Sequence, residues 1–406
     1  MALKRLTAAD GAVYYASVGT DQHGQRFYVT CRYDDGSYCN FRDAKQMDAE
    51  LCRQVGKGTF IHPSTKRLAF RELAAAFLEA KRDRIRPITL QGYEAHLITH
   101  ILPFFADYQL GKVDFRELIR GRKAADKFQG GFVNELKGRT YRNRPISYRQ
   151  INKILTTLYS VMEFAVSEGY IAVNPVRAED RPRESILPLD DPHRRPMAPI
   201  RVIPLTSIEP FIAAADPGLF RTLFTATLLT GMREGEILGL KWGDIDWQEE
   251  LIHVRRGLAQ LKGSRFGFFD PKTSKSSRTL PRDTELEDLT ALDLFGALRA
   301  WKLASSKSDL GDLVFCRPDG RPLAREWIRE RGFLPAIRRA KIAEVRFYDL
   351  RHTYVSLLIY LRRHPKEIAD RVGHSSIAIT MDVYGHLMEA SPTVTHSKLE
   401  VRHGKL

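Results

Sequence analysis

Apolar periodicity breaks off inside this chain of 406 residues between residues 179 and 203, where proline, arginine and aspartate crowd together. A stretch in which nothing recurs at helical or strand spacing has no face to bury. It reads as a linker, so the sequence on either side must fold around separate cores. Residues 63–178 upstream read as all helix. Leu68-Ala69-Phe70, Leu73-Ala74 and Phe77-Leu78 form one apolar stripe, and Tyr93, Leu97, Ile101 and Phe104-Phe105 a second. Ile151, Ile154-Leu155, Leu158, Val161-Met162 and Ala165-Val166 form a third, which ends at Glu168-Gly169-Tyr170 before Asn174-Pro175. Residues 1–62 are β-rich instead. Val13–Val18, Arg26–Tyr33 and Ser37–Phe41 predict three strands, separated by turn signals at Asp21-Gln22-His23-Gly24 and Asp34-Asp35-Gly36, with a helix over Asp43–Val55. Beyond the linker, residues 204–390 are mixed α+β and mostly helical, and residues 391–406 form a polar, basic tail. Phe266–Thr273 and Arg278–Pro281 predict a hairpin around Ser274–Ser277. The expected fold class is multidomain: a small module of three strands plus a helix, an all-α domain, and a mixed domain.

Charge narrows the partner. Lys plus Arg number 64 and Asp plus Glu 49, a net charge of +15. Such a surplus favours a polyanion, most commonly nucleic acid, over a merely basic protein or one that touches anionic lipid. Lys66, Arg67, Arg139, Arg142, Arg144, Arg149 and Lys153 crowd polar faces and loops of the helical domain and are the candidate phosphate contacts. No apolar run nears the roughly 20 residues that span a bilayer. Met1-Ala2-Leu3-Lys4-Arg5 runs into Thr7, Ala8 and Asp10 with no apolar core, so a signal peptide is not expected and the cytoplasm is the expected location, with the nucleoid as the place within it. Cys31, Cys39, Cys52 and Cys316 lack the spacing of a zinc site or a disulfide framework.

Four residues then suggest a chemistry. Arg233 follows Thr230-Gly231, where one helix ends and another begins. Arg351 starts a helical run to Leu361. His374 follows Val372-Gly373, and Tyr384 follows a short helix over Ile377–Val383. Breaking a phosphodiester raises the charge on the phosphate oxygens, so cationic donors must be fixed against them. The planar fork of arginine suits that task, and helix-start N–H groups add to it. A phenol attacks only when positioned and relieved of its proton.

In this order Arg233, Arg351, His374 and Tyr384 resemble the catalytic set of the tyrosine recombinases, or phage-integrase family. The resemblance covers about residues 66–390 and, more loosely, the first 60. It implies a 3′-phosphotyrosine intermediate with a free 5′-hydroxyl, and strand exchange within a homotetramer on paired duplex DNA sites. No cofactor is expected, since the ester keeps the bond energy and the chain carries no P-loop. The resemblance makes residues 1–62 an arm-type DNA-binding module, although a protein-interaction module fits the strands too. It makes 63–178 the SAM-like core-binding domain and 204–390 the catalytic domain. DNA-bending proteins and an excisionase are possible further partners. The family's proton-donating lysine falls at Lys272 in Pro271-Lys272-Thr273, with Lys275 as runner-up.

One position departs from the family. Its usual histidine three residues before the second arginine is Tyr348 here, in Tyr348-Asp349-Leu350-Arg351. A tyrosine hydroxyl can donate to a phosphate but is a poor proton acceptor at pH 7. Either Tyr348 is a tolerated donor or the enzyme is slowed or inactive. His352 is expected on the opposite face of its helix, away from the site. Three other readings stand beside recombination: a type IB topoisomerase, a catalytically impaired DNA-binding protein on the same fold and, more weakly, a helical RNA-binding protein.

Overall fold

The computed structural model describes residues 2–20, 26–33, 36–56, 68–110, 114–124, 127–141, 143–188, 191–194, 200–270, 277–343 and 345–389. It divides into two compact units, Met1–Ala198 and Pro199–Leu406.

The first unit opens with an antiparallel sheet in the order β1-β2-β3, from Ala2–Thr7, Val13–Thr20 and Arg26–Thr30. The expected three strands are there in number and differ in membership. Ala2–Thr7 pairs along its whole length with Val13–Val18, whereas Ser37–Phe41 contributes only the Arg32–Tyr38 bridge. Ala-Leu-Lys-Arg-Leu-Thr is poor in β-branched and aromatic residues, so its strand character comes from the neighbour it pairs with. Helix α1, Phe41–Gly56, packs on one face through Ala44 and Met47, which meet Cys31, Cys39, Leu3 and Tyr15.

A second core follows, built by α2 (Phe70–Arg82), α3 (Pro87–His96), α4 (Leu102–Phe105), α5 (Phe115–Arg120), α6 (Phe132–Gly138) and α7 (Tyr148–Ser167). All three apolar stripes converge there: Phe70, Phe77, Leu97, Ile101, Phe105, Ile154, Leu158 and Met162 are wholly buried. Asp114 and Ser147 start their helices by accepting backbone N–H groups. The all-α expectation needs one correction. Two small ribbons intervene, β4–β5 (Arg122–Ala124 with Lys127–Gln129) and β6–β7 (Thr140–Tyr141 with Arg144–Pro145). The second turns through Asn143 at φ 59°, a left-handed conformation that asparagine tolerates. Part of the expected linker packs on this core as well. Asn152 donates to the Pro182 carbonyl at 2.9 Å, the Tyr148 N–H donates to the His193 carbonyl, and Leu187 joins the apolar cluster.

The second unit begins with α8 (Leu205–Ala214) and α9 (Leu219–Thr230), the latter buried at ten of its twelve positions and so at its centre. After α10 (Glu234–Leu238) come β8 (Ile245–Asp246), β9 (Leu251–Val254), β10 (Gly257–Gln260), β11 (Phe266–Phe269) and β12 (Arg278–Pro281). Among the described residues β11 and β12 do not pair as the expected hairpin. Strand β11 pairs with β10, and β12 crosses to β9 in a sheet ordered β12-β9-β8. Adjacent β-rich runs show that strands exist and leave their partners open. Helices α11 (Thr284–Thr290), α12 (Leu294–Ala304), α13 (Arg325–Ile328) and α14 (Leu334–Arg339) follow; α12 packs on α9, α11 and α14 on α8, and Trp327 of α13 meets Phe220 of α9. Finally α15 (Asp349–Tyr360), α16 (Pro365–Val372) and α17 (Ile377–Glu389) bring the C-terminal motifs back to the start of α10. Among the described residues no helix is long and apolar enough to cross a membrane.

Candidate active site

Arg233 sits at the junction of α9 and α10 because Gly231 ends α9 in a left-handed turn, φ 58°. Any Cβ there would also run into the Tyr354 ring, so two constraints meet on one glycine. Arg233 is the N-cap of α10, and Glu236 clamps it from both ends. One carboxylate oxygen accepts the Arg233 N–H at 2.9 Å, and the other accepts its guanidinium at 2.8 Å. The far side of that guanidinium donates to the Gly373 carbonyl at 2.6 Å.

Arg351 reaches the same place from α15. It is 2% exposed, and its two terminal nitrogens donate to the carbonyls of Gly231 and Val372 at 2.6 and 2.7 Å. Burial first, then the like charge of Arg233, lowers its pKa to about 10. It still carries its charge at pH 7. Neutral carbonyls hold it, so its positive charge is not cancelled by a carboxylate.

His374 follows Gly373, which closes α16 at φ 68°. Its Nδ1 lies 2.8 Å from the hydroxyl of buried Thr380. Burial, then Arg351, Arg233 and Arg278, lowers its pKa to about 4. The ring is therefore neutral near pH 7, and with Nδ1 accepting from Thr380 its Nε2–H can donate to an anion. Tyr384 lies on α17, 2% exposed, with its hydroxyl 2.6 Å from Nδ1 of His352. Burial raises its pKa, and Arg351 partly opposes the rise.

The structure thus brings Arg233, Arg351, His374 and Tyr384 together on one chain. Tyr348 precedes α15 and is 47% exposed, and its ring meets His352 edge-on at 5.2 Å between centroids. Lys272 and Lys275 lie outside the described residues.

The sequence reading misplaced one residue of the site and missed two. His352 is the main correction. Consecutive helical residues are separated by about 100°, not by half a turn. Arg351 can therefore face the carbonyls while His352 faces α17, and four-residue spacing from Tyr348 should have placed the two rings side by side. Arg278, on β12, donates to Glu236 at 3.0 Å and to the Arg371 carbonyl at 2.7 Å. Glu236 joins Arg233 to Arg278. Burial pushes its carboxyl pKa up, and Arg278 with Arg233 more than offsets that, so it ends below its ordinary value. Arg278 opens the predicted strand Arg278–Pro281 and Glu236 follows Arg233 by three residues, but an internal ion pair has no signature in a single sequence.

The basic set of the helical domain divides. Arg139 is taken up internally, paired with Glu135 and donating to the Thr99 carbonyl at 3.2 Å. Arg144, Arg149 and Lys153 are exposed, Arg149 lying 3.7 Å from Glu184. Lys66, Arg67 and Arg142 lie outside the described residues.

Comparison with known proteins gives a consistent set of likenesses. Residues 215–390 match the model of the phage integrase family, and residues 69–120 match that of the phage integrase N-terminal SAM-like domain. The ICEBs1 integrase of Bacillus subtilis is 27% identical over 353 residues, covering 85% of this chain and 86% of that one. Among solved structures, the Tn1549 transposon integrase in complex with a circular intermediate DNA aligns with a TM-score of 0.57 at 18% identity, over 78% of this chain and 95% of that one. A lambda integrase tetramer bound to a Holliday junction aligns with a TM-score of 0.50 at 17% identity, over 92% and 95%.

Proposed function

Because the chain belongs to the phage-integrase family of tyrosine recombinases, site-specific recombinases of mobile elements, we propose that it cuts and rejoins duplex DNA through a covalent bond to Tyr384. The observation that carries this reading is the convergence of Arg233, Arg351 and His374 beside the Tyr384 hydroxyl.

A scissile phosphate seated there is an anion facing two guanidinium groups and a neutral imidazole. Each arginine keeps N–H donors beyond those given to carbonyls, and these can meet the non-bridging oxygens as charge grows on them. Attack by the Tyr384 oxygen forms a 3′-phosphotyrosine and releases the 5′-oxygen, which Lys272 protonates on this reading. Rejoining reverses the step with the 5′-hydroxyl of the partner strand. The ester conserves the bond energy and fixed arginines supply the charge, so neither ATP nor a metal is called for.

We assign residues 1–62 to an arm-type DNA-binding module, 63–178 to core-site binding and 204–390 to catalysis. Paired sites and a homotetramer follow by analogy with the lambda integrase tetramer bound to a Holliday junction. DNA-bending and excisionase proteins would act on the direction of the reaction. Tyr348 serves as a tolerated neighbour of the phosphate rather than as a base.

The test uses DNA flanking the gene, end-labelled and nicked near the crossover so that cleavage is trapped. The native chain is expected to give an SDS-stable, protease-sensitive adduct, and Tyr384→Phe none while binding DNA equally well. An adduct of unchanged yield from Tyr384→Phe would overturn the assignment.

A further inference from the structure

We propose that His352 does the work of the histidine missing at position 348: its Nδ1 takes the proton of Tyr384 during cleavage and returns it during rejoining. The inference rests on the recombinase reading and adds a catalytic residue to it. Three observations carry it.

The first is geometry. His352 Nδ1 lies 2.6 Å from the Tyr384 oxygen, a normal length for a short hydrogen bond between a phenol and a ring nitrogen. No proton need pass through water. The second is seclusion. Tyr384 is 2% exposed, and no other hydrogen-bond partner of its hydroxyl is seen among the described residues. The third is substitution. At position 348 stands a tyrosine that is 47% exposed and whose ring leans edge-on against His352. A phenol cannot accept a second phenol's proton near neutrality, whereas a neutral imidazole can.

The surroundings suit the role. On its own helix and the turn before it, His352 is near Asp349, Arg346, Arg351 and Tyr348; from α17 it meets Tyr384, and His374 faces it from the α16–α17 turn. Burial leads, and Arg346 and Arg351 add to it against Asp349, so its pKa is lowered and the free ring is neutral at pH 7. A neutral ring with hydrogen on Nε2 leaves Nδ1 to accept. In the step, the Tyr384 O–H bond breaks and its proton moves to Nδ1. The O–P bond forms, the P–O5′ bond breaks, and the 5′-oxygen takes a separate proton from the acid. The imidazolium left behind holds that proton beside the Tyr384 oxygen until rejoining.

The experiment compares the full native chain with His352→Ala and His352→Gln on the nicked substrate, measuring single-turnover adduct formation and, separately, DNA affinity. Both variants are expected to bind normally and to cleave on the order of 100-fold more slowly or worse, the usual contribution of a general base. A second substrate carries sulfur in place of the bridging 5′-oxygen, so that the leaving group needs no proton. The His352 defect is expected to persist on it. Rescue by the sulfur substrate would mean that His352 assists the leaving group, and would overturn the proposal. So would native rates in both variants. A native chain that forms no adduct would overturn the recombinase reading itself, a different outcome from a native adduct that His352 does not affect.

Discussion

At the scale of single residues, Glu236 shows how the site holds its cations without neutralising all of them. Glu236 is 8% exposed, its carboxylate faces Arg233 and Arg278, and they hold its pKa below the ordinary value against the effect of burial. A depressed carboxylate contributes stability above its unfolded pKa and loses it as pH falls through the folded one. Glu236→Gln should therefore destabilise the chain at pH 7, by about 1–3 kcal/mol for a half-broken buried pair. The difference from the native chain should shrink once pH drops below about 4.5, and urea unfolding at both pH values reads it. Arg351 follows the opposite logic, since carbonyls hold it and its charge stays available to a phosphate. The ordered set Arg233, Arg351, His374 and Tyr384 was legible because arginine and tyrosine bring their chemistry with them wherever the chain is folded. Which neighbour would hold each was not, because hydrogen-bond partners 120 and 140 residues apart leave no local pattern.

At the scale of elements, the site is assembled from ends. Here Arg233 caps a helix, His374 follows a left-handed glycine, and Arg351 lies in the first turn of α15. Gly231 decides whether the first of these can form. Gly231→Ala would place a methyl group against the Tyr354 ring at a left-handed position. The expected cost is about 2–4 kcal/mol from overpacking and backbone strain together, visible as a lower urea midpoint. Adduct yield should fall with it, as the Gly231 carbonyl also holds Arg351. Helical elements were the easiest to read from sequence, because a 3.6-residue stripe is local. Strands were harder. Ala2–Thr7 lacks strand composition, and β11 and β12 look like one hairpin although each pairs elsewhere. Pairing is a choice between distant partners, and propensity says little about it.

At the scale of the whole molecule, a net charge of +15 makes the affinity for DNA a question of salt. Each phosphate neutralised should add about 0.9 to the slope of log affinity against log salt. Lys153→Ala and Arg144→Ala, at exposed positions of the helical domain, are each expected to lower that slope by about 1. Arg139→Ala should leave the slope nearly unchanged and lower stability instead, because its guanidinium is bound to Glu135 and to the Thr99 carbonyl. Salt titrations of binding, beside urea unfolding, separate the two outcomes. Sequence alone determined what this chain can do: its basic balance, its helical stripes and the ordered arginines, histidine and tyrosine each depend on composition or on spacing within a few turns. Tertiary structure decided how it does so. Only folding brings α15 against α17, setting His352 beside Tyr384 while Tyr348 stays exposed, because which residues touch depends on how helices far apart in sequence pack.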